Sequence, residues 1–198
     1  MEKFRILYLI SGIIFLIISI AGGAWWELIG GEISKPFLYI GFSPFEFKFE
    51  ILGLEFLKPP PFIMGLFLCE RLLAIIGSIT IIAGSLLHKK TLSKKFFNLR
   101  PFIMPVLFIV LILIGITIII SSVKQYIPIV SEVLPNINDA LMPYSSQYLT
   151  INLYPILHID ASLKIKILSQ FTFRFWMALF SGLLCLSASI IRKKEAKK

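Results

Sequence analysis

Charge inside an apolar run is the feature of this sequence most able to do chemistry. Glu70 and Arg71 lie within Phe62–Leu87 (FIMGLFLCERLLAIIGSITIIAGSLL), Arg174 opens a later apolar stretch, and Glu27 follows an earlier one. Ionisable groups in such a setting carry protons or ions, or hold helices together as ion pairs. Opposite charges in a low dielectric are costly unless paired. Glu27, Glu70, Arg71 and Arg174 are therefore expected to form one intramembrane charge cluster.

Other chemistry has little to work with. His158 has one nearby acid, Asp160, and His88 abuts a basic stretch. A metal site needs three or four converging ligands. The two cysteines, Cys69 and Cys185, fall within apolar stretches, and no CxxC or Cys/His spacing occurs. The sequence has no HExxH, GxSxG, P-loop or GxGxxG pattern. No histidine lies inside a span to ligate haem. The reading is that of a chain without catalytic, cofactor or metal residues, and not an enzyme.

The elements that position these charges follow from hydropathy. A span needs about 20 apolar residues. Four stretches meet that requirement, at about 6–29, 62–87, 102–123 and 171–191. Mean hydropathy is +0.87 and 57% of the 198 residues are hydrophobic, outside the range of ordinary soluble domains. The net charge of +9 does not point to nucleic acid, because its distribution has another explanation. Twelve of the 20 Lys and Arg sit in three flanks: Lys3 and Arg5; Lys89, Lys90, Lys94, Lys95 and Arg100; and Arg192, Lys193, Lys194, Lys197 and Lys198. The positive-inside rule then places both termini and the 88–101 loop in the cytoplasm of a multi-pass cell-membrane protein. A cleaved signal peptide is the competing reading of the first span, but its apolar stretch is long for one.

Within the spans, Glu70 shares a helical face with Ala74, Gly77 and Gly84. Arg174 shares one with Ala178, Ser181, Gly182 and Cys185. Small residues let helices approach closely in lipid. Trp25, Trp26 and Trp176 read as interface aromatics, where amphipathic rings sit at headgroup level.

The outer loops, 30–61 and 124–170, carry strand signals. Phe45, Phe47, Phe49 and Ile51 alternate with Glu46, Lys48 and Glu50, the period of a half-buried strand. Two or three antiparallel strands are expected there, closed by Lys58-Pro59-Pro60-Pro61. In the second loop, Pro128, Pro135 and Pro143 restrict the first half to short helical turns. Tyr148–Tyr154 and Leu163–Phe173 read as strands able to pair with the first loop. The predicted fold is a single membrane domain, a four-helix transmembrane bundle with a small antiparallel sheet built from both outer loops.

This plan resembles the claudin-like tetraspan superfamily. AWWEL (24–28) is similar to the tryptophan-containing opening of that family's first outer loop. CERLLAIIGSITIIAGSLL (69–87) is similar to its second span, with Arg71 at the family's arginine. The resemblance in specific residues covers about 30 positions, and the family's paired outer-loop cysteines are absent. It implies a disulfide-locked outer sheet and a barrier or pore role, and both depend on the cysteine pair this sequence lacks. The leading expectation is a non-enzymatic protein making protein–protein contacts through its outer sheet and small-residue helix faces. It would act as a homo-oligomer or as an accessory subunit among other membrane proteins, in a lipid bilayer. Two alternatives of other classes are a small transport or channel unit using the charge cluster, and an intramembrane or quinone-linked enzyme.

Overall fold

The computed structural model describes residues 3–55, 57–87, 103–126, 135–152 and 162–195. The chain forms two compact units, one of helices (Met1–Gly23, Pro60–Leu111 and Phe173–Lys198) and one built on a sheet (Ala24–Pro59 and Ile112–Thr172). Among the described residues, four helices are long and apolar enough to cross a membrane: α1 (Lys3–Ala21), α2 (Pro61–Leu86), α3 (Ile103–Tyr126) and α5 (Phe173–Glu195). A one-turn helix, α4 (Ile137–Ala140), precedes the last pair of strands.

α1 is the hub of the helical unit and packs along both α2 and α5. Its buried positions, Phe4, Tyr8, Ser11, Phe15, Ile18 and Ser19, recur at three- and four-residue steps. α5 answers with Phe175, Ala178, Ser181, Gly182, Cys185, Ala188 and Ser189 at the same steps. α2 offers Ala74, Ser78, Ile81, Gly84 and Ser85. That spacing keeps one stripe of each helix facing its neighbour, and small residues in the stripe bring the backbones close. At Gly12 a Cβ would lie 2.9 Å from Ile82 Cγ1 and 3.1 Å from Ile81 Cγ2, so only glycine fits there without displacing α2. α3 enters this unit through side chains: Phe108 lies 5.7 Å from Phe15 between ring centroids.

The first helix ends earlier than its hydropathy predicts. α1 stops at Ala21 because Gly22 and Gly23 take φ of +63° and +89°. The Gly22 amide donates to the Ile18 carbonyl at 3.2 Å, the left-handed helix ending that glycine permits at least cost. The expected span of about 6–29 therefore divides. Its last residues belong to a strand, since Trp, Leu and Ile are as apolar in a buried strand as in a helix.

Among the described residues the sheet has six antiparallel strands: β1 (Trp26–Glu32), β2 (Lys35–Ser43), β3 (Glu46–Ile51), β4 (Leu54–Glu55), β5 (Tyr144–Asn152) and β6 (Ser162–Phe171). Their order is β4-β3-β2-β1-β6-β5. The first loop thus supplies four strands rather than two or three. β1 pairs with both β2 and β6, joining the two loops in one sheet.

Register assigns the two faces. Trp26, Leu28, Ile40, Phe49, Ile165 and Ile167 share the apolar face and are all buried. In the same unit Ile112, Ile116 and Ile120 of α3 are completely buried at four-residue spacing. A Cβ on Gly115 would overlap the Phe42 ring, so glycine there admits an aromatic from the sheet. The opposite face carries Glu27, Glu46, Lys48, Glu50, Lys164 and Lys166. The alternation of Phe and Glu/Lys in β3 is this division of faces.

Candidate functional site

The four predicted charges stand in distinct settings. Arg71, from α2, donates from Nε to the Ser19 carbonyl at 2.9 Å and from Nη2 to the Ile20 carbonyl at 2.6 Å. The last carbonyls of a helix have no intrahelical donor, and a planar guanidinium presents two N–H groups in one fork. A cation at this end also opposes the negative pole of the α1 dipole. Arg71 is thus the terminal cap of α1.

Arg174, exposed in the first turn of α5, lies over Gly23. Its Cζ and Nη1 occupy positions 2.5 and 2.6 Å from where a Cβ on Gly23 would be. Gly23 is held to glycine by its positive φ, since the exposed guanidinium end of Arg174 could move aside for a Cβ. Glu70 is half-buried on α2. Among the described residues no ion pair joins Glu70, Arg71 and Arg174. Glu27 lies on β1 and accepts a hydrogen bond from Gln170 Nε2 at 2.7 Å, its cross-strand partner on β6. In the helical unit the guanidinium of Arg71 bonds to main-chain carbonyls and not to the acids with which it was expected to cluster. Hydropathy places charges by depth, and depth does not reveal that helix-end carbonyls compete as partners.

Trp25 and Trp26 are not surface aromatics. Both are completely buried in the sheet unit, which corrects their assignment to a membrane interface. The Trp25 ring stands edge-on to Phe45 at 5.6 Å, while its backbone bridges Phe42 and Thr172. Trp26 Nε1 donates to the Ala140 carbonyl and to Ser169 Oγ, each at 3.0 Å, tying α4 to the sheet. Trp176 is 43% exposed and packs its edge against Phe175 at 5.5 Å. Of the predicted helix-packing residues, Ala74, Gly84, Ala178 and Gly182 are buried and Gly77 is partly so.

Sequence reasoning passed over the polar contact at the centre of the helical unit. Ser11 Oγ and Ser181 Oγ lie 3.0 Å apart, and each also bonds the other's carbonyl, at 2.9 and 3.0 Å. Cys185 Sγ lies 3.1 Å from Ser11 Oγ and is the alternative acceptor for that hydroxyl's single proton. All three residues are completely buried. The available signal was serine at eight-residue spacing on both helices, Ser11 and Ser19 against Ser181 and Ser189. Such contacts in apolar surroundings are worth roughly 0.6–2 kcal/mol. A Ser11→Ala and Ser181→Ala double-mutant cycle, read by unfolding in detergent, is expected to show coupling of about 1 kcal/mol. Strict additivity would refute the reciprocal bond.

Among the described residues no three His, Cys, Asp or Glu side chains converge as metal ligands. His88, His158 and Asp160 lie outside the described residues. In comparison with protein-family profiles, curated proteins and solved structures, the chain matches none. The functional reading accordingly rests on the residues and their geometry.

Proposed function

We propose that this is a non-enzymatic, four-span cell-membrane protein that makes protein–protein contacts through the edge of its outer sheet and through its small-residue helix faces. Membrane residence is supported by what the helices leave uncovered. Ile13, Ile17 and Ile20 of α1, Leu72, Ile76 and Ile79 of α2, Ile114 and Ile118 of α3, and Phe180 and Leu183 of α5 are all exposed. Apolar surface on that scale suits lipid and not water. The basic flanks support cytoplasmic termini by the positive-inside rule, with the strand-rich loops outside, an arrangement resembling that of a claudin-like tetraspan.

The edge of the sheet carries the contact reading. β5 is nine residues long and terminal in the strand order, and among the described residues no strand pairs with its free side. Tyr144, Ser146 and Tyr148 on it are exposed. An uncovered edge of that length is a template for another strand. The partner is a second copy or another membrane subunit to which this protein is accessory.

The test is mass spectrometry of what co-purifies with the tagged chain from its own membranes in mild detergent. A stoichiometric partner or homo-oligomer is expected, and Tyr144→Lys with Ser146→Lys should release it, since lysines on an edge oppose pairing. A monomer without partners, or an assembly indifferent to both lysines, would remove the basis for the proposal.

A further inference from the structure

Beside the turn joining β1 and β2, the polar face of the sheet carries an open cleft of about 700 Å³. One wall comes from that turn and the start of β2, with Glu32, Ile33 and Phe37. The other comes from β5 and β6, with Tyr148, Lys164 and Lys166. All of these residues belong to the sheet unit. We propose that this cleft binds a small organic anion, a carboxylate or phosphate carried on a ring or short apolar body.

Strand geometry assembles the two halves of such a site. Lys164 and Lys166 are two residues apart on β6, so they point to one face with their Cβ atoms roughly 7 Å apart. Tyr148 lies directly across from Lys166 in the β5–β6 register. Its ring therefore stands beside the ammonium groups, on the same face. Opposite them the chain bulges between Gly30 and Gly31, and Gly31 takes φ of +101°. A bulge bends its strand and re-aims the residues that follow, here Glu32 and Ile33.

The chemistry of the walls selects the ligand. Ile33, Phe37 and Tyr148 are 71%, 40% and 72% exposed, an unusual amount of apolar and aromatic surface for the polar face of a sheet. Two ammonium groups next to two rings favour an anion with a flat or apolar body over a bare ion, since the rings contribute only where they have something to cover. Both lysines are exposed and among the described residues no ion pair engages either. Glu32 on the opposite wall repels negative charge, which orients the ligand with its anionic group toward β6. The inference rests on the sheet alone, independently of what pairs with the β5 edge.

Titration calorimetry of the full chain, in detergent at low ionic strength, with phenyl phosphate and benzoate as probes, tests it. Saturable binding of at least one probe is expected, tighter than that of inorganic phosphate, with none for phenol. Lys164→Ala with Lys166→Ala should weaken it about tenfold, the combined worth of two exposed charge contacts. Arginine at both positions should retain binding, Tyr148→Ala should weaken it, and Glu32→Gln should strengthen it. Absence of saturable binding by either probe overturns the proposal. So does binding that survives loss of both lysines, or that inorganic phosphate matches, when circular dichroism shows the variants folded.

Discussion

Trp26→Ala is expected to unfold the sheet unit under conditions in which the native chain is stable. The ring is completely buried at the start of the central strand β1, between β2 and β6. Its truncation removes packing worth about 3–5 kcal/mol in a core that cannot collapse fully around the void. It also removes the N–H that serves the Ala140 carbonyl and Ser169 Oγ. Losing a donor to a buried acceptor costs roughly a further 1–3 kcal/mol, although Ser169 Oγ, 3.3 Å from the same carbonyl, offsets part of that. Trp26→Phe helps to separate the two effects, since it loses the donor but only part of the buried ring. It should be intermediate, lowering stability by about 1–2 kcal/mol. The measurement is thermal unfolding in detergent together with protease resistance of the segment between α1 and α2. Were Trp26→Ala to leave both unchanged, the ring would have to lie on a surface, as the sequence alone suggested.

The second large effect is expected at Arg71. Replacing it with alanine leaves the Ser19 and Ile20 carbonyls without their side-chain donor at the end of α1. Hydrogen bonds from a charged group are each worth about 1.5–3 kcal/mol, and the pair shares one side chain, so a loss near 3 kcal/mol is expected. Arg71→Lys should restore part of it, because an ammonium supplies charge to the helix end without the fork that reaches two carbonyls. Glu70 discriminates between this cap and an ion pair. If Arg71 acted through Glu70, Glu70→Gln would destabilise comparably and the double variant would be non-additive. The geometry predicts instead that Glu70→Gln changes stability little and adds simply to Arg71→Ala. Amide exchange at the last turn of α1 gives a second readout, because loss of a cap frays that turn selectively.

The polar character of one sheet face follows from the same sequence that hides the other. In β3 the alternation of Phe and Ile with Glu and Lys specifies a half-buried strand directly, and register with β2 makes Phe49 and Ile40 neighbours on the covered side. In β1 there is no alternation to read. Leu28 and Ile29 are both buried though they point to opposite faces, so the strand runs on from the apolar pattern of α1 without a change of period. Only Gly22 and Gly23 mark the break, and glycine pairs also occur inside membrane helices. The additional strand of the first loop and the early end of the first span therefore share one cause.

What the sequence determined by itself is the part that depends on composition and period. Four stretches of sufficient length and hydropathy gave four long apolar helices, and a period of two gave strands in both loops, because burial in any apolar medium imposes those patterns locally. What only the tertiary structure decided is which groups become partners. Arg71 meets main-chain carbonyls from a helix about 50 residues earlier, and Ser11 meets Ser181 across 170 residues. Lys164 and Lys166 share a cleft with a turn near the other end of the sheet's sequence. Charge and polarity at a residue state that a partner is needed. The backbone carbonyls, hydroxyls and turns that meet the need look alike along a sequence, and become distinct only when strand order and helix packing fix their positions in space.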